Sequence, residues 1–232
     1  FLSVFAGHRW ARRYMTADDA GFYGTTIPQR TDSNICGPSW SRGDAEFFHL
    51  RSGPNYTKRG FKVTSEPALY DCINVDLVRS GCVVSEVLER LVPVPTMSES
   101  KWRPECSLPQ LICIVVMLPF KSDEQDPGCS IIAVFAITDD TVEALDRGDP
   151  PASVRLFQEF MAKAGGECQS EATKSTSGVL KAIAIGENLG DLRLPSIMAP
   201  MVHRYNATPT LITKSGFIQK DPHGRWMEVD ID

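Results

Sequence analysis

The pattern of apolar and polar positions is dominated by two runs. Leu111 to Phe120 reads LICIVVMLPF and Ser130 to Thr138 reads SIIAVFAIT. Both are rich in β-branched and large apolar residues, and both are too short for stable lone helices, which predicts strands. Neither alternates between apolar and polar residues, as expected of strands covered on both faces. Between them KSDEQDPGC, residues 121–129, is charged and broken by Pro127 and Gly128, a turn-rich loop. The pattern therefore predicts a central antiparallel hairpin with a layer on each side. Pro119 and the charged loop exclude one buried helix across the stretch.

The same reading places weaker elements around the hairpin. Glu46 to Arg51, EFFHLR, predicts a short strand ended by a Gly53-Pro54-Asn55 turn. Tyr70 to Val78, YDCINVDLV, alternates, with Cys72, Asn74 and Asp76 opposite Ile73, Val75 and Leu77, which predicts a strand with one wet face. Residues 85–91 favour a short helix ended by Pro93 and Pro95. Residues 97–109 read as a polar loop holding Trp102, and residues 141–145 as a helical turn. Val154, Phe157, Phe160 and Met161 stand at helical spacing over residues 153–164, with Ser153 as the expected cap and Gly165-Gly166 as the stop. Residues 179–185 predict a strand. Residues 209–213 and 216–219 predict a pair of short strands. Asp221-Pro222-His223-Gly224 is a strong turn before a closing strand at 226–231. Many short strands and few helices predict an α+β domain built on a mainly antiparallel β-sheet with a few packing helices.

Composition narrows the function classes. The chain has 232 residues, 42% of them hydrophobic and 23% charged, enough for one large core. Its formal charge of -5 argues against a general nucleic-acid binder. No apolar run is long enough to cross a bilayer as a helix. The seven cysteines are an odd number without a CxxC pair, which predicts reduced thiols in an intracellular compartment. The chain opens at Phe1, as a processed product or a fragment would. Residues 1–39 are poorly periodic, with His8, Arg9, Arg12 and Arg13 around Trp10. They read as an arm packed on the domain or turned toward a partner or membrane.

Two charged groups stand out. Arg51, Lys58, Arg59 and Lys62 flank the Gly-Pro-Asn turn and form the best basic patch of an acidic chain. Arginine can hold a phosphate through two parallel hydrogen bonds and lysine adds a point charge, so the patch suits an anionic lipid headgroup. Its other reading is a basic hairpin that keeps a sheet edge soluble. Glu228, Asp230 and Asp232 share one face of the closing strand, opposite Met227, Val229 and Ile231. That pattern predicts a solvated acidic outer face over an apolar inner one. A calcium site is the other reading, and no further oxygen ligands are evident for it.

A set of colinear residues carries a resemblance. Trp40, Phe48, Arg51 with Ser52, Tyr56, and Val75 with Asp76 stand in that order before the central hairpin and the phenylalanine-bearing helix. After them come Asn206, Thr208, Pro209 and Leu211, then Lys214 and Gly216, then Glu228, Asp230 and Asp232. Over residues 40–232 this order resembles the C-terminal domain family of the plant protein enhanced disease resistance two. Residues 186–205 are longer than the family pattern, and the helix that usually follows the closing acidic strand is missing. The resemblance implies work linked to lipids at a membrane, with the chain intracellular and peripheral to that membrane and an organelle as one option; whether the sheet curves around a lipid-type cavity stays open at the level of sequence.

Catalytic motifs are missing from the sequence. There is no GxSxG elbow, no HExxH and no phosphate-binding loop, and Gly186-Glu187-Asn188-Leu189-Gly190 lacks the lysine and hydroxyl that such a loop needs. His8, His49, His203 and His223 are isolated from one another in sequence. No enzyme, metal or cofactor is expected. The expected function is a non-catalytic lipid- or membrane-associated module whose partner is an anionic lipid surface. The alternative is a structural accessory subunit docked among the protein subunits of a larger, organellar assembly.

Overall fold

A computed structural model describes residues 23–30, 39–52, 55–80, 84, 87–91, 101–118, 128–164, 180–183, 185, 200, 203–204, 206–211 and 216–231. The predicted hairpin is the centre of its main sheet. Strands β5 (Leu111–Leu118) and β6 (Gly128–Ile137) pair antiparallel from Leu111↔Ala136 to Leu118↔Cys129. On the far edge of β6 lies β4 (Tyr70–Ser80), antiparallel, and beyond it β1 (Tyr23–Ile27), also antiparallel. On the far edge of β5 lies β10 (Trp226–Ile231), parallel to it, followed by β9 (Gly216–Lys220), antiparallel to β10. The six-stranded order is β1-β4-β6-β5-β10-β9, an α+β arrangement that is mostly antiparallel.

Both faces of this sheet are filled, which is why its central strands show no alternation. One face packs under helices α2 (Asp139–Asp146) and α3 (Ala152–Lys163). Val142 of α2 and Val154, Phe160 and Met161 of α3 meet Ile112, Ile137, Ile218, Met227 and Val229. The opposite face carries Val78, Leu111, Cys113, Val115, Ile132, Val134 and Trp226, and is covered by Val84, Val87 and Leu88. The last two belong to a π-helical turn at Val87–Leu91, where a short helix was predicted. Side chains of the described residues fill both faces, and no lipid-type cavity is shown among them.

Local chemistry explains the helix ends. Thr138 extends from β6 and caps α2, its hydroxyl accepting from the Thr141 backbone N–H at 3.2 Å. Asp139 and Asp140 occupy the first turn of α2, where the helix dipole favours negative charge. The Thr141 hydroxyl donates to the Leu69 carbonyl at 3.1 Å and ties α2 to the start of β4. Ser153 is not the cap of α3. Pro151 holds that position without a side-chain hydrogen bond, and Ser153 lies inside the first turn. A proline there loses nothing by lacking an N–H.

Three further expectations change. β1 lies within the N-terminal arm and was not predicted. The two short strands near the C-terminus do not pair with one another: β8 (Thr210–Leu211) pairs with β7 (Lys181–Ala182), while β9 turns through the Asp221 turn onto β10. Strand β4 has no uniformly wet face. A bulge between Cys72 and Asn74 shifts the register, so that Asn74 and Asp76 face the covered side with Val134 and Ile132. The expectations for Pro93, Pro95, Pro119, the loop 121–127 and Gly165-Gly166 lie outside the described residues.

The Asp221 turn fixes how β10 enters the sheet. The Asp221 carboxylate accepts from the Arg225 backbone N–H at 3.0 Å and from its guanidinium at 2.8 and 3.2 Å, and Gly224 takes φ 71 as the turn requires. The Arg225 hydrogen bond holds the Asp221 carboxyl below its ordinary range. A depressed carboxylate pKa contributes stability above the unfolded pKa and loses it as pH falls through the folded one. Asp221→Asn should therefore lower the melting temperature at pH 7, and its difference from wild type should shrink as the pH drops below the ordinary carboxylate range. The hairpin core is tested by Val115→Asp or Val134→Asp, at positions 0% and 2% exposed. Each buries a charge without a partner, at a cost on the order of 5 kcal/mol, and circular dichroism should show an unfolded or strongly destabilised chain.

Candidate functional site

The basic patch sits on a second, separate hairpin. Strands β2 (His49–Arg51) and β3 (Lys62–Thr64) pair antiparallel as a two-stranded sheet outside the main one. The registers are His49↔Thr64, Leu50↔Val63 and Arg51↔Lys62. Backbone hydrogen bonds extend the ladder at both ends, Ser65 N to Phe48 O at 2.8 Å and Ser52 N to Phe61 O at 3.3 Å. The connection is the single-turn helix α1 (Tyr56–Arg59), entered through Asn55 at φ 63 and left through Gly60 at φ 66. Lys58 and Arg59 donate their backbone N–H groups to the Asn55 carbonyl at 2.9 and 3.0 Å, which closes the tip.

This geometry brings all four predicted basic residues together. Arg51 and Lys62 are direct cross-strand partners, and Lys58 and Arg59 ride on the connecting turn. All four are exposed, and none is held in an ion pair among the described residues. Like charges set opposite one another repel, so the arrangement is eased by an anion from outside. Residues 47–65 hold these four cations and no Asp or Glu, in a chain with 29 acidic residues. The acidic residues resume at both roots of the hairpin, with Glu46 and Glu66.

The pleat separates the hairpin into two faces, because directly opposed residues project to the same side. His49, Arg51, Lys62 and Thr64 share one face. Phe48, Leu50, Ser52, Phe61, Val63 and Ser65 share the other. Phe48 and Ser65, at the root, are half-buried, whereas Leu50, Phe61 and Val63 toward the tip are exposed. Phe47 is exposed too and meets Phe48 edge to face, at 6.2 Å between ring centroids. The exposed apolar residues were not anticipated. Alternation in FFHLR and FKVT signals an apolar face, and an apolar face is ordinarily read as a buried one.

An open groove of about 1120 Å³ runs between the root of this hairpin and the start of α2. Its rim carries Asp44, Glu46, Glu66, Asp71, Asp139 and Asp140 against Arg42 and Arg147. Arg42 is already paired with Asp71 at 2.9 Å. Such a rim repels anions, so the groove and the basic tip have opposite electrostatic preferences.

The acidic closing strand is not a wet face. β10 lies between β5 and β9, and Val84 with the turn Val87–Leu91 covers the side on which Glu228 and Asp230 project. Glu228 and Asp230 are 0% and 1% exposed, which overturns the solvated-face expectation. The Glu228 carboxylate accepts from the backbone N–H groups of Val87 at 2.9 Å and Leu88 at 3.0 Å. Asp76, 1% exposed on the same side of the sheet, accepts from the Thr26 hydroxyl at 2.6 Å and the Asn74 amide at 2.5 Å. Burial first, and then Glu228, Asp230 and Asp76, pushes the Cys113 thiol well above its ordinary pKa, so it stays protonated. Cys72, Cys106 and Cys113 are free thiols.

The resemblance residues do not form one site. Arg51, Ser52 and Tyr56 belong to the basic hairpin, and Asp76, Glu228 and Asp230 to the interior of the main sheet. Trp40 is half-buried and joined to the segment before it, with Trp40 N donating to Pro28 O at 3.1 Å. Asn206 is half-buried and Pro209 exposed, just before Leu211 in β8; Gly216 opens β9. Lys214, Asp232 and the loop 186–190 lie outside the described residues, as does His8. His49, His203 and His223 are exposed, and no group of three His, Cys, Asp or Glu among the described residues could hold a metal ion. No described helix is long and apolar enough to cross a membrane.

A family model described as Protein Enhanced Disease Resistance 2, C-terminal, matches residues 40–232. No curated protein and no solved structure matches the chain.

Glu228→Ala should release the turn Val87–Leu91 from the sheet. It strands two buried N–H groups, at about 1–3 kcal/mol each. Hydrogen exchange should show residues 87–91 opening first, with β5 and β6 still protected. Glu228→Gln keeps one acceptor and should fall between Ala and wild type.

Proposed function

The chain belongs to the family of the Enhanced Disease Resistance 2 C-terminal domain, and on that premise we propose that it is a non-catalytic module that associates peripherally with anionic membrane surfaces. The observation that carries this reading is the basic hairpin. Arg51, Lys58, Arg59 and Lys62 converge on one exposed element with no acidic residue between positions 47 and 65. An acidic chain needs such segregation to approach a negative surface at all, because its other faces are repelled. The acidic groove at the hairpin root adds an orienting field, since the tip is drawn in and the root is pushed out. Lysine supplies charge and arginine supplies paired donors for phosphate oxygens, so the contact suits phospholipid headgroups without requiring a pocket.

Sedimentation with vesicles of phosphatidylcholine and phosphatidylserine tests this. A basic residue at an anionic membrane surface contributes about 1 kcal/mol. Lys58→Ala with Arg59→Ala should then weaken binding by about 2 kcal/mol, or roughly 30-fold, with the fold intact. Raising the salt should imitate the substitution, because exposed charges are screened over about 8 Å at physiological ionic strength. Vesicle binding that ignores both changes, or no vesicle binding at all, would overturn the reading in favour of docking within a protein assembly.

A further inference from the structure

The hairpin offers more than charge. Phe61, Val63 and Leu50 are 63%, 50% and 38% exposed on one face, and Phe47 at the root is 58% exposed. Single exposed apolar residues are ordinary on protein surfaces. Here they are contiguous: Leu50 stands directly opposite Val63, and Phe61 lies one pleat further along the same face. The β2–β3 pair forms its own two-stranded sheet, and among the described residues no second layer lies over the apolar face of its distal half. A two-stranded ribbon is only marginally stable in water by itself, so covering that face would stabilise it.

We propose that the Leu50–Phe61–Val63 face of the β2–β3 hairpin inserts into the boundary between headgroups and acyl chains of an anionic bilayer. The inference rests on the membrane reading above and names the depth and mode of the contact. The occupant follows from charge. The apolar face is backed by Arg51 and Lys62 and ends at Lys58 and Arg59, with no carboxylate on the element. A hairpin lying in the interface places its apolar face toward the acyl chains and its basic face among the phosphates, as an amphipathic interfacial helix does. Arginine and lysine stems reach back toward the headgroups from the opposite face. The contact then has two parts of different physics. The charged part is screened by salt, whereas the apolar part is not.

Two measurements on the full chain test this. The first is Phe61→Trp with vesicles containing phosphatidylserine and lipids brominated along the acyl chains. Fluorescence quenching beyond that of the wild-type tryptophans supports insertion. Vesicle binding without extra quenching overturns insertion but leaves the electrostatic reading standing. The second is Phe61→Ser with Val63→Ser, at exposed positions where circular dichroism should be unchanged. Loss of two apolar side chains from the interface should weaken vesicle binding at least about tenfold. High salt should then abolish the binding that remains, whereas wild type should keep a salt-resistant part. Undiminished vesicle binding by the double variant overturns the proposal, and overturns it in favour of a protein partner if the same variant loses a stable complex. Failure of every form of the chain to bind vesicles overturns both readings together.

Discussion

A sheet buried on both faces must find hydrogen-bond partners for every polar group it carries, and Glu228 is where this constraint bears hardest. β10 brings a carboxylate into the interior between β5 and β9, where an unsatisfied charge would be prohibitive. The backbone N–H groups of Val87 and Leu88 meet it, and in return the turn Val87–Leu91 is anchored over Leu111, Cys113, Val115 and Trp226. Asp76 is solved in the same manner by Thr26 and Asn74, which ties β1 to the sheet edge through a side chain as well as a ladder. The cover over this face is therefore anchored by a buried acid as well as by apolar packing, whereas α2 and α3 cover the other face with an apolar cluster to which the Thr141 and Lys220 hydrogen bonds are added. Burial, and then the neighbouring carboxylates, push the Cys113 thiol up and keep it protonated.

That interior leaves the β2–β3 hairpin as the part of the described chain with unspent chemistry. Its charges are exposed and its apolar face is uncovered toward the tip, while the groove at its root is ringed with acid. In the proposed function the sheet serves as a platform, and the hairpin as the element through which it would meet a negative surface. The same separation accounts for the scatter of the family's characteristic residues. Asp76 and Glu228 secure the main sheet through hydrogen bonds and Asp230 is buried within it, whereas Arg51, Ser52 and Tyr56 belong to the hairpin outside it.

Much of the architecture was legible in the sequence where one physical cause acts alone. The runs at 111–118 and 128–137 are apolar because both faces are covered. The turn at Asp221 carries its own hydrogen-bonding side chain, and α3 shows its buried stripe at helical spacing. The reading failed where two causes give the same pattern. Asp76, Glu228 and Asp230 alternate with apolar residues as a wet face would, and nothing in that alternation tells that they are buried. The bulge after Cys72 turns part of β4 over and leaves no mark in composition. β1 reads YGTTI, too weak to predict alone, and it is secured by Asp76 from a distant strand. At the hairpin, the four basic residues were legible because charge stands out in an acidic chain. The exposure of Phe61 and Val63 was not, because alternation predicts an apolar face and says nothing of what covers it.

The central claim is that the β2–β3 hairpin is the surface by which this chain meets an anionic membrane. Hydrogen–deuterium exchange of the whole chain, with and without phosphatidylserine-containing vesicles, addresses it most directly. Slower exchange confined to residues 47–64, with β5, β6 and β10 unchanged, is the predicted result. Protection of other segments with residues 47–64 unaffected would contradict it.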